Sequence, residues 1–306
     1  MFVIIGIVVV LGAVIGGFLL EHGPIRVLMQ PSEILIIGGA ALGTLLAANP
    51  LHTLKGVVGA VVQLLKGSKF SRKRYLDSLK MMYELFNKIR RDGPNSVEAD
   101  IEEPGKSKFF GGYPEFSSDH HAREFVCDSM RVVLMGGVEA FDLDQMMEAD
   151  MDVHAHQSEQ YVTALSTVAD SLPGLGIVAA VLGVVMTMSA LGGPPEEIGK
   201  KVAAALVGTF LGILMCYGVI GPMASNLSKL SYEGHEYLHV LRVIIIAFTK
   251  GISPLLAVEM GRRAIPAHLR PSFAEFEKHC KQPASAAAAT ETPAAEPPAE
   301  AAPATS

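Results

Sequence analysis

The sequence predicts an all-α, polytopic membrane protein with four transmembrane helices and a helical cytoplasmic domain. Half of its 306 residues are apolar and only 18% are charged, which is unusual for one soluble domain of this length. Four runs without a charged side chain are long enough to cross a hydrocarbon core of about 30 Å at about 1.5 Å per residue. They are residues 2–20, 34–51, 171–195 and 202–228. Between and after them lie long polar segments with helical periodicity.

The first run follows Met1 directly, without a basic leader or a convincing cleavage site, so it predicts an uncleaved span. Short turns separate the first two runs and the last two. A further apolar stretch, 243–249, has only seven residues before Lys250 interrupts it. Because a charge at a helix centre costs about 2.5–3.5 kcal/mol on insertion, this stretch predicts an amphipathic cytosolic or interfacial helix.

The distribution of Lys and Arg predicts the orientation. Segment 52–170 holds 14 of them and segment 229–306 holds 8, whereas the two short turns share Arg26, Lys200 and Lys201. Basic residues favour the cytoplasmic side. We therefore expect a multi-pass membrane protein with both termini and the large loop in the cytoplasm.

These features divide the chain into five predicted regions. The last of them contains 11 Ala and 5 Pro in 24 residues, a composition that cannot bury a core and predicts disorder. The regions are 1–51 (spans 1 and 2), 52–170 (cytoplasmic helical loop domain), 171–228 (spans 3 and 4), 229–282 (cytoplasmic C-terminal helical region) and 283–306 (disordered tail).

Helical periodicity organises the large loop. In 72–91 one apolar stripe advances by 4, 3, 4 and 3 residues through Tyr75, Leu79, Met82, Phe86 and Ile89. A short helix is predicted to begin at 95–98, where Asn95 and Glu98 resemble a capping box. Residues 122–168 predict further helix with a break near Gly136 and Gly137, continuing without interruption into the third span.

Glycines four residues apart recur in three of the spans. Such spacing lets helix backbones approach closely in lipid, although glycine is also simply common in membrane helices. Taken together the pairs favour a tightly packed, oligomeric bundle. They are Gly12/Gly16, Gly39/Gly43 and Gly208/Gly212.

Several function classes are disfavoured. No phosphate-binding loop, nucleophile elbow or paired Cys is present, so we predict no enzyme, no cofactor and no metal site. His154 and His156 point to different helix faces, and the three cysteines are far apart and are predicted to be structural or incidental. The net charge of −6 suggests no nucleic-acid partner.

The four runs contain hydroxyls but no Asp, Glu, Lys, Arg or His. A path for ions through lipid normally needs a titratable group at depth. This chain supplies Thr187, Ser189 and Thr209, together with backbone groups freed by proline. We therefore expect any essential carboxylate to come from another chain.

Pro173 and Pro222 lie in different spans, each near the predicted cytoplasmic end. Proline often does no more than shape a membrane helix. Two prolines at similar depth in antiparallel neighbouring helices, however, also predict a hinge between the membrane and the loop.

Three motifs resemble the MotA family of bacterial flagellar stator subunits, and the resemblance covers roughly residues 1–281. They are Ala-Asp-Ser-Leu-Pro at 169–173, Gly-Ile-Val-Ala-Ala-Val-Leu-Gly at 176–183 and Gly-Val-Ile-Gly-Pro at 218–222. The number of spans, the large loop between the second and third, and the basic helix before Glu98 agree with that family.

The resemblance implies a proton-conducting stator with a single-span MotB-type partner, whose membrane Asp carries the ion. It also implies a ring of five such chains around a MotB dimer, embedded in membrane lipid and pushing on the rotor protein FliG. It assigns coupling to Pro173 and Pro222, and the ion path to Thr209 and Asp170. Rotor contact falls on Arg90 and Glu98. The structural alternatives are a solvated basic face for Arg90 and helix capping for Glu98.

Proton is favoured over sodium because sodium needs several oxygen ligands. Sodium-driven relatives tend to carry threonine where Ala180 stands here, while water or backbone carbonyls near Pro173 are the alternative oxygen source. An ExbB/TolQ-type energising subunit is the main rival, but such proteins usually have one span before the large loop rather than two. A self-sufficient transporter is disfavoured by the uncharged spans, and a pure scaffold by the paired prolines.

Overall fold

The computed structural model of the chain describes residues 2–189 and 192–281, and its regular elements there are all helices. This confirms the predicted all-α class. The predicted disorder of 283–306 lies outside the described residues. In chain order the helices are α1 (Phe2–Leu20), α2 (Ile25–Leu28), α3 (Pro31–Ala48), α4 (Leu51–Lys66), α5 (Arg72–Asp92), α6 (Glu98–Glu102), α7 (Lys108–Gly111), α8 (Pro114–Ser117), α9 (His120–Met135), α10 (Ala140–Met188), α11 (Pro195–Met215), α12 (Gly221–Thr249), α13 (Pro254–Ala264) and α14 (Phe273–Lys281).

The chain forms two compact units. Unit 1 lies within residues 1–71 and 139–242, and unit 2 within 72–138 and the residues from 243 onward. Unit 1 therefore contains the membrane helices together with two segments that were predicted to be cytoplasmic. These are the segment that precedes α5 and the first part of α10. The five predicted regions, which were divided by expected exposure to the membrane, stay a prediction.

In the described part of the chain, four helical segments are long and apolar enough to cross a membrane, as the sequence predicts. They are Val3–Leu20, Ile25–Ala48, Ala140–Met188 and Pro195–Thr249. The second segment contains α3, which runs from Pro31 to Ala48. This helix begins and ends earlier in the chain than the predicted run 34–51. Proline is favoured in a first helical turn, where its missing N–H has no partner to lose. The earlier start places Glu33 inside the helix.

The break predicted near Gly136 and Gly137 is confirmed. Both residues have positive φ angles, +73° and +81°, which glycine adopts without strain. Beyond them α10 continues for 49 residues, from Ala140 to Met188, without interruption. The predicted continuity with the third span is therefore also confirmed.

Unit 1 is packed around two apolar clusters. The first joins α3, α10 and the end of α11 through Ile37, Leu172 and Cys216. The second joins α4, α10 and α12 through Leu64, Leu165 and Leu227.

Unit 2 is packed around α5. The predicted stripe is confirmed, since Tyr75, Leu79, Met82 and Phe86 are at most 1% exposed, whereas Ile89 is half-buried. Phe86 stacks on Phe248 at a ring-centroid distance of 3.9 Å. Large side chains therefore fill the centre of this unit.

Candidate ion pathway between the membrane helices

The helices α10 and α11 meet along a seam of small residues, which we define as Gly176, Ala179, Gly208 and Gly212. A Cβ placed on Gly176 would lie 2.9 Å from the carbonyl oxygen of Gly208. A Cβ on Gly212 would lie 2.5 Å from the carbonyl oxygen of Leu172 and 3.0 Å from Cα of Gly176. Only glycine permits such backbone contact. The packing role predicted for Gly208 and Gly212 is confirmed.

The other two predicted glycine pairs do not pack in this way within the chain. A Cβ on Gly12, Gly16, Gly39 or Gly43 would meet nothing within 4 Å among the described residues. Their predicted role between copies of the chain stays a prediction.

The two predicted hinge prolines differ in their surroundings. Pro173 lies inside α10, which continues as α-helix on both sides of it. Pro222 lies directly after a π-helical turn, Cys216–Ile220, which separates α11 from α12. A proline cannot donate a backbone hydrogen bond, and a π-turn is one way for a helix to accommodate that loss. The local change of helix geometry is therefore found at Pro222.

Thr209 and Ala180 each lie next to the seam, and a Cβ on Gly176 would lie 3.3 Å from Cα of Thr209. Thr209 follows Gly208, and a Cβ on Gly208 would lie 3.4 Å from the backbone nitrogen of Ala180. The other two hydroxyls noted from the sequence are engaged by their own helix, since Thr187 donates to the carbonyl of Gly183 and Ser189 to that of Met186. In the described residues no hydrogen bond occupies the hydroxyl of Thr209.

Glu33 is the residue that sequence reasoning missed. It is 5% exposed, and a Cβ on Gly208 would lie 2.6 Å from its Oε2 atom. The candidate span Ile25–Ala48 therefore contains a buried carboxyl that the predicted run 34–51 did not include, while an essential carboxylate from another chain stays a prediction. The second predicted run was defined by the absence of charged side chains, so it began at residue 34 and left Glu33 out. The available signal was Pro31, which marks the first turn of a helix and so places a residue two positions later within it.

Asp170 lies elsewhere, beside a polar cleft of about 630 Å³ between α10 and α12. The side chain is exposed, one turn before Pro173 on α10. Hydroxyls from both helices and one imidazole line the cleft with it. They include Ser166, Thr167, Ser228, Ser231 and His235.

In unit 2, Arg90 is not a simple solvated residue. Its Nη2 atom donates to the carbonyl oxygens of Gly251 at 3.0 Å and Ile252 at 3.2 Å. These carbonyls follow the end of α12, so Arg90 ties that turn to α5. Arg90 is nevertheless exposed, so both the solvated basic face and the rotor contact stay predictions.

Glu98 is exposed at the first position of α6. The capping box does not form, because a 3₁₀ turn, Pro94–Ser96, precedes the helix and Val97 occupies the cap position without a side-chain hydrogen bond. The capping alternative is therefore wrong. Rotor contact again stays a prediction.

Charged pairs elsewhere in unit 2 are strong enough to shift titration. Burial opposes ionisation of Asp100, but hydrogen bonds from Lys88 at 2.7 Å and Ser107 at 2.6 Å hold the pKa of its carboxyl below the usual value.

Burial raises the pKa of the Cys127 thiol to about 12. All three cysteines are buried and unpaired.

No group of three or more His, Cys, Asp or Glu side chains in the described part of the chain has the arrangement of a metal site. Together, the four candidate spans and the glycine seam define a polytopic α-helical membrane protein in which two spans are in close backbone contact.

Comparisons with known proteins identify the family. A family model described as "Motility protein A N-terminal" matches residues 4–93, and one described as "MotA/TolQ/ExbB proton channel family" matches residues 117–238. The chain is 37% identical over 281 residues to "Motility protein A" of Salmonella typhimurium, covering 92% of this chain and 95% of the relative. The chain therefore belongs to the motility protein A family, within the MotA/TolQ/ExbB proton channel family.

Two solved structures have the same fold. "Structure of C. jejuni MotAB" matches with a TM-score of 0.73 at 18% identity, covering 89% of this chain and 98% of that one. "Structure of the flagellar MotAB stator complex from Bacillus subtilis" matches with a TM-score of 0.71 at 23% identity and the same coverage. The family membership makes this chain a flagellar motor stator subunit rather than an ExbB/TolQ-type transport subunit.

Proposed function

We propose that this chain, with a single-span MotB-type partner, conducts protons across the bacterial inner membrane and converts the flux into torque on the rotor. It acts as a channel subunit and not as an enzyme. The observation that carries the proposal is the continuity of α10, which runs from Ala140 to Met188. At about 1.5 Å per residue its 49 residues extend about 74 Å. A rearrangement at the seam therefore moves the far end of the same helix.

An uncovered apolar surface supports the proposed partner. On α10, Ile177 and Val181 are 57% and 55% exposed, and on α11, Leu206 is 66% exposed. Such a surface requires lipid or an apolar helix against it. A single-span partner bearing one membrane Asp meets that requirement and supplies a second carboxyl. Five chains around a MotB dimer complete the proposed assembly.

The proposed orientation places both termini, α4 and unit 2 on the cytoplasmic side. It rests on the 22 Lys and Arg residues outside the short turns, out of 25 in the chain. In this orientation the polar cleft beside Asp170 lies at the inner end of the seam. We assign it the role of the cytoplasmic proton exit, with Pro173 and Pro222 coupling ion passage to helix movement.

The proposed ion is the proton. Sodium takes several oxygen ligands, whereas a proton needs one acceptor and a water path. At the seam the side-chain oxygens are those of the Thr209 hydroxyl and the Glu33 carboxyl, Ala180 offers none, and Thr187 is hydrogen-bonded to Gly183. The low number of oxygen ligands favours the proton.

The test is proton flux into liposomes that contain this chain alone, or this chain with its MotB-type partner. We expect flux only from the two together. Thr209→Ala should reduce it, and Thr187→Ala is the matched control because that hydroxyl is already bonded within its own helix. Robust flux from this chain alone would contradict the requirement for a partner.

Ion identity is tested by swimming speed in sodium-free medium at constant proton-motive force. We expect unchanged speed. Cells that stop without sodium and recover when it is restored would overturn the assignment.

A further inference from the structure

Glu33 is buried in a place where an ionised carboxylate is unstable. The residue is 5% exposed, and its Oε2 atom is buried without a hydrogen-bond partner. An acidic residue in a first helical turn is ordinarily explained by the helix dipole and by solvent. Here the carboxyl is turned away from solvent, so that explanation is insufficient.

The carboxyl lies well within the bundle. It contacts Gly208, which is 13 residues beyond Pro195 at the start of α11 and thus about 20 Å along its axis. Gly208 also faces Ala179 and Ala180 of α10, after which that helix continues for eight residues to Met188. Both helices therefore extend beyond Glu33 on the side where α3 begins.

Among the described residues, no cation forms an ion pair with the carboxyl. The part of α10 from residue 171 to 188 has no charged side chain, and α3 has none besides Glu33. On α11 the nearest charged residues are Lys200 and Lys201, about two turns before Gly208. Helix α2, which packs on α11, carries Arg26, and α4 packs at the opposite end of α3. None of these residues forms an ion pair with Glu33 in the described structure.

An unpaired carboxylate in apolar surroundings is much less stable than the same group in water, and such groups become neutral instead. We propose that Glu33 is a proton-binding site of this chain, protonated at rest and placed beside the Ala180–Thr209 section of the seam. The proposal rests on the proposed function, to which it adds a second titratable group on the proton path.

The proposed step is a reversible proton transfer. The neutral carboxyl gives its proton to a water molecule at the seam, which leaves a carboxylate and a hydronium ion. The carboxylate then takes a proton from a hydronium ion arriving from the outer side.

Infrared spectroscopy of the complex with the MotB-type partner, purified from membranes, tests the protonation state independently of transport. The carbonyl stretch of a protonated carboxylic acid, shifted in D₂O, should be present in the wild type. It should lose one component in Glu33→Gln and keep it in Glu196→Gln. Glu196 is an exposed carboxylate in the first turn of α11 and is the matched control. An identical band in wild type and Glu33→Gln would overturn the proposal.

Proton flux supplies the second measurement. Glu33→Gln keeps the shape of the neutral carboxyl but cannot release a proton, so we expect at least a threefold loss of flux in an assembled complex. Glu33→Asp should retain most of the flux and Glu196→Gln all of it. Full flux from Glu33→Gln would contradict the proposal. If the wild type itself conducts nothing, the proposed function fails, and the infrared band still decides the protonation state of Glu33.

Discussion

Unit 1 brings its helices together over small residues, whereas unit 2 fills its centre with large ones. In unit 1 a Cβ on Gly212 would lie 2.5 Å from a backbone oxygen of the facing helix. In unit 2 Tyr75, Met82 and Phe86 are at most 1% exposed on one side of α5. In lipid there is no hydrophobic driving force for apolar side chains to associate, so membrane helices are held together by close backbone contact. Water provides the driving force for the core of unit 2.

The two units also differ in whether their buried ionisable side chains have partners of opposite charge. Unit 2 buries Arg74 against Asp119 and Glu259 against Arg262 and Arg263. Unit 1 buries Glu33 without a partner. A paired charge contributes to the fold of unit 2, whereas an unpaired carboxyl is free to exchange a proton. The following predictions test this contrast, beginning with the largest expected effect.

Loss of the buried pair in unit 2 should have the largest effect on stability. Arg74→Met leaves the Asp119 carboxylate buried without its principal cation, which typically costs about 3–5 kcal/mol. The matched control is Arg72→Met, because the Arg72–Glu275 pair is 49% and 39% exposed and such pairs contribute about 0–1 kcal/mol. The Tm of the purified full chain, followed by circular dichroism, should fall much more for Arg74→Met. Equal decreases would show that burial of the pair is unimportant.

Crowding the seam should have the next largest effect. In Gly212→Ala the new methyl group meets backbone atoms of Leu172 and Gly176 at 2.5–3.2 Å, and overpacking of this kind costs about 1–3 kcal/mol. Gly199→Ala on the same helix is the control, since a Cβ there meets nothing within 4 Å. We expect less complex in membranes and loss of swimming for Gly212→Ala only. Normal swimming of that variant would exclude close seam packing.

The prolines should affect movement more than stability. Pro173→Ala and Pro222→Ala each restore a backbone donor, so insertion and assembly should be retained while rotation is abolished or greatly slowed. Pro195→Ala is the control, because Pro195 begins α11, where proline is tolerated. Swimming speed and membrane content of the subunit provide the measurement. If Pro173→Ala and Pro222→Ala both swim normally, the hinge interpretation is wrong.

Arg90 should show a smaller effect with two components. Loss of its hydrogen bonds to Gly251 and Ile252 costs about 0.5–1.5 kcal/mol in Arg90→Ala. Arg90→Glu should impair swimming further if the charge faces the rotor, and an opposite reversal on FliG should rescue it. Arg91→Ala is the control, since Arg91 is 80% exposed and pairs with adjacent Asp92. Equal effects of Ala and Glu at position 90 would indicate a packing role alone.

The smallest expected effect is the pH dependence contributed by Asp100. Its pKa is lower in the folded chain than in the unfolded chain, because Lys88 and Ser107 favour the carboxylate once burial is overcome. The resulting stability is present above the ordinary Asp pKa of about 3.9 and is lost as the pH falls through the lower folded value. Asp100→Asn should therefore weaken the acid dependence of Tm by the equivalent of about 1 kcal/mol or less. If Tm falls with decreasing pH equally in Asp100→Asn and the wild type, Asp100 does not contribute to the acid dependence.

Much of the fold was predictable because its determinants are local. The stripe from Tyr75 to Phe86 follows from a spacing of three and four residues, and α5 buries those side chains. The break at Gly136 and the length of α10 follow from glycine and from uninterrupted helical character. Among the proposed site residues, whose roles stay predictions, Pro222 and Thr209 were singled out because proline and hydroxyls are conspicuous in apolar runs.

Tertiary structure alone decided which side chains meet. Glu33 and Gly208 are 175 positions apart, and only the packing of α3 against α10 and α11 converts an ordinary first-turn acid into a buried carboxyl. Arg90 likewise reaches carbonyls more than 160 positions away. Local periodicity determines helices and their apolar faces. Burial, pairing and protonation depend on contacts between distant segments, and the free energy of a charge is set by those contacts.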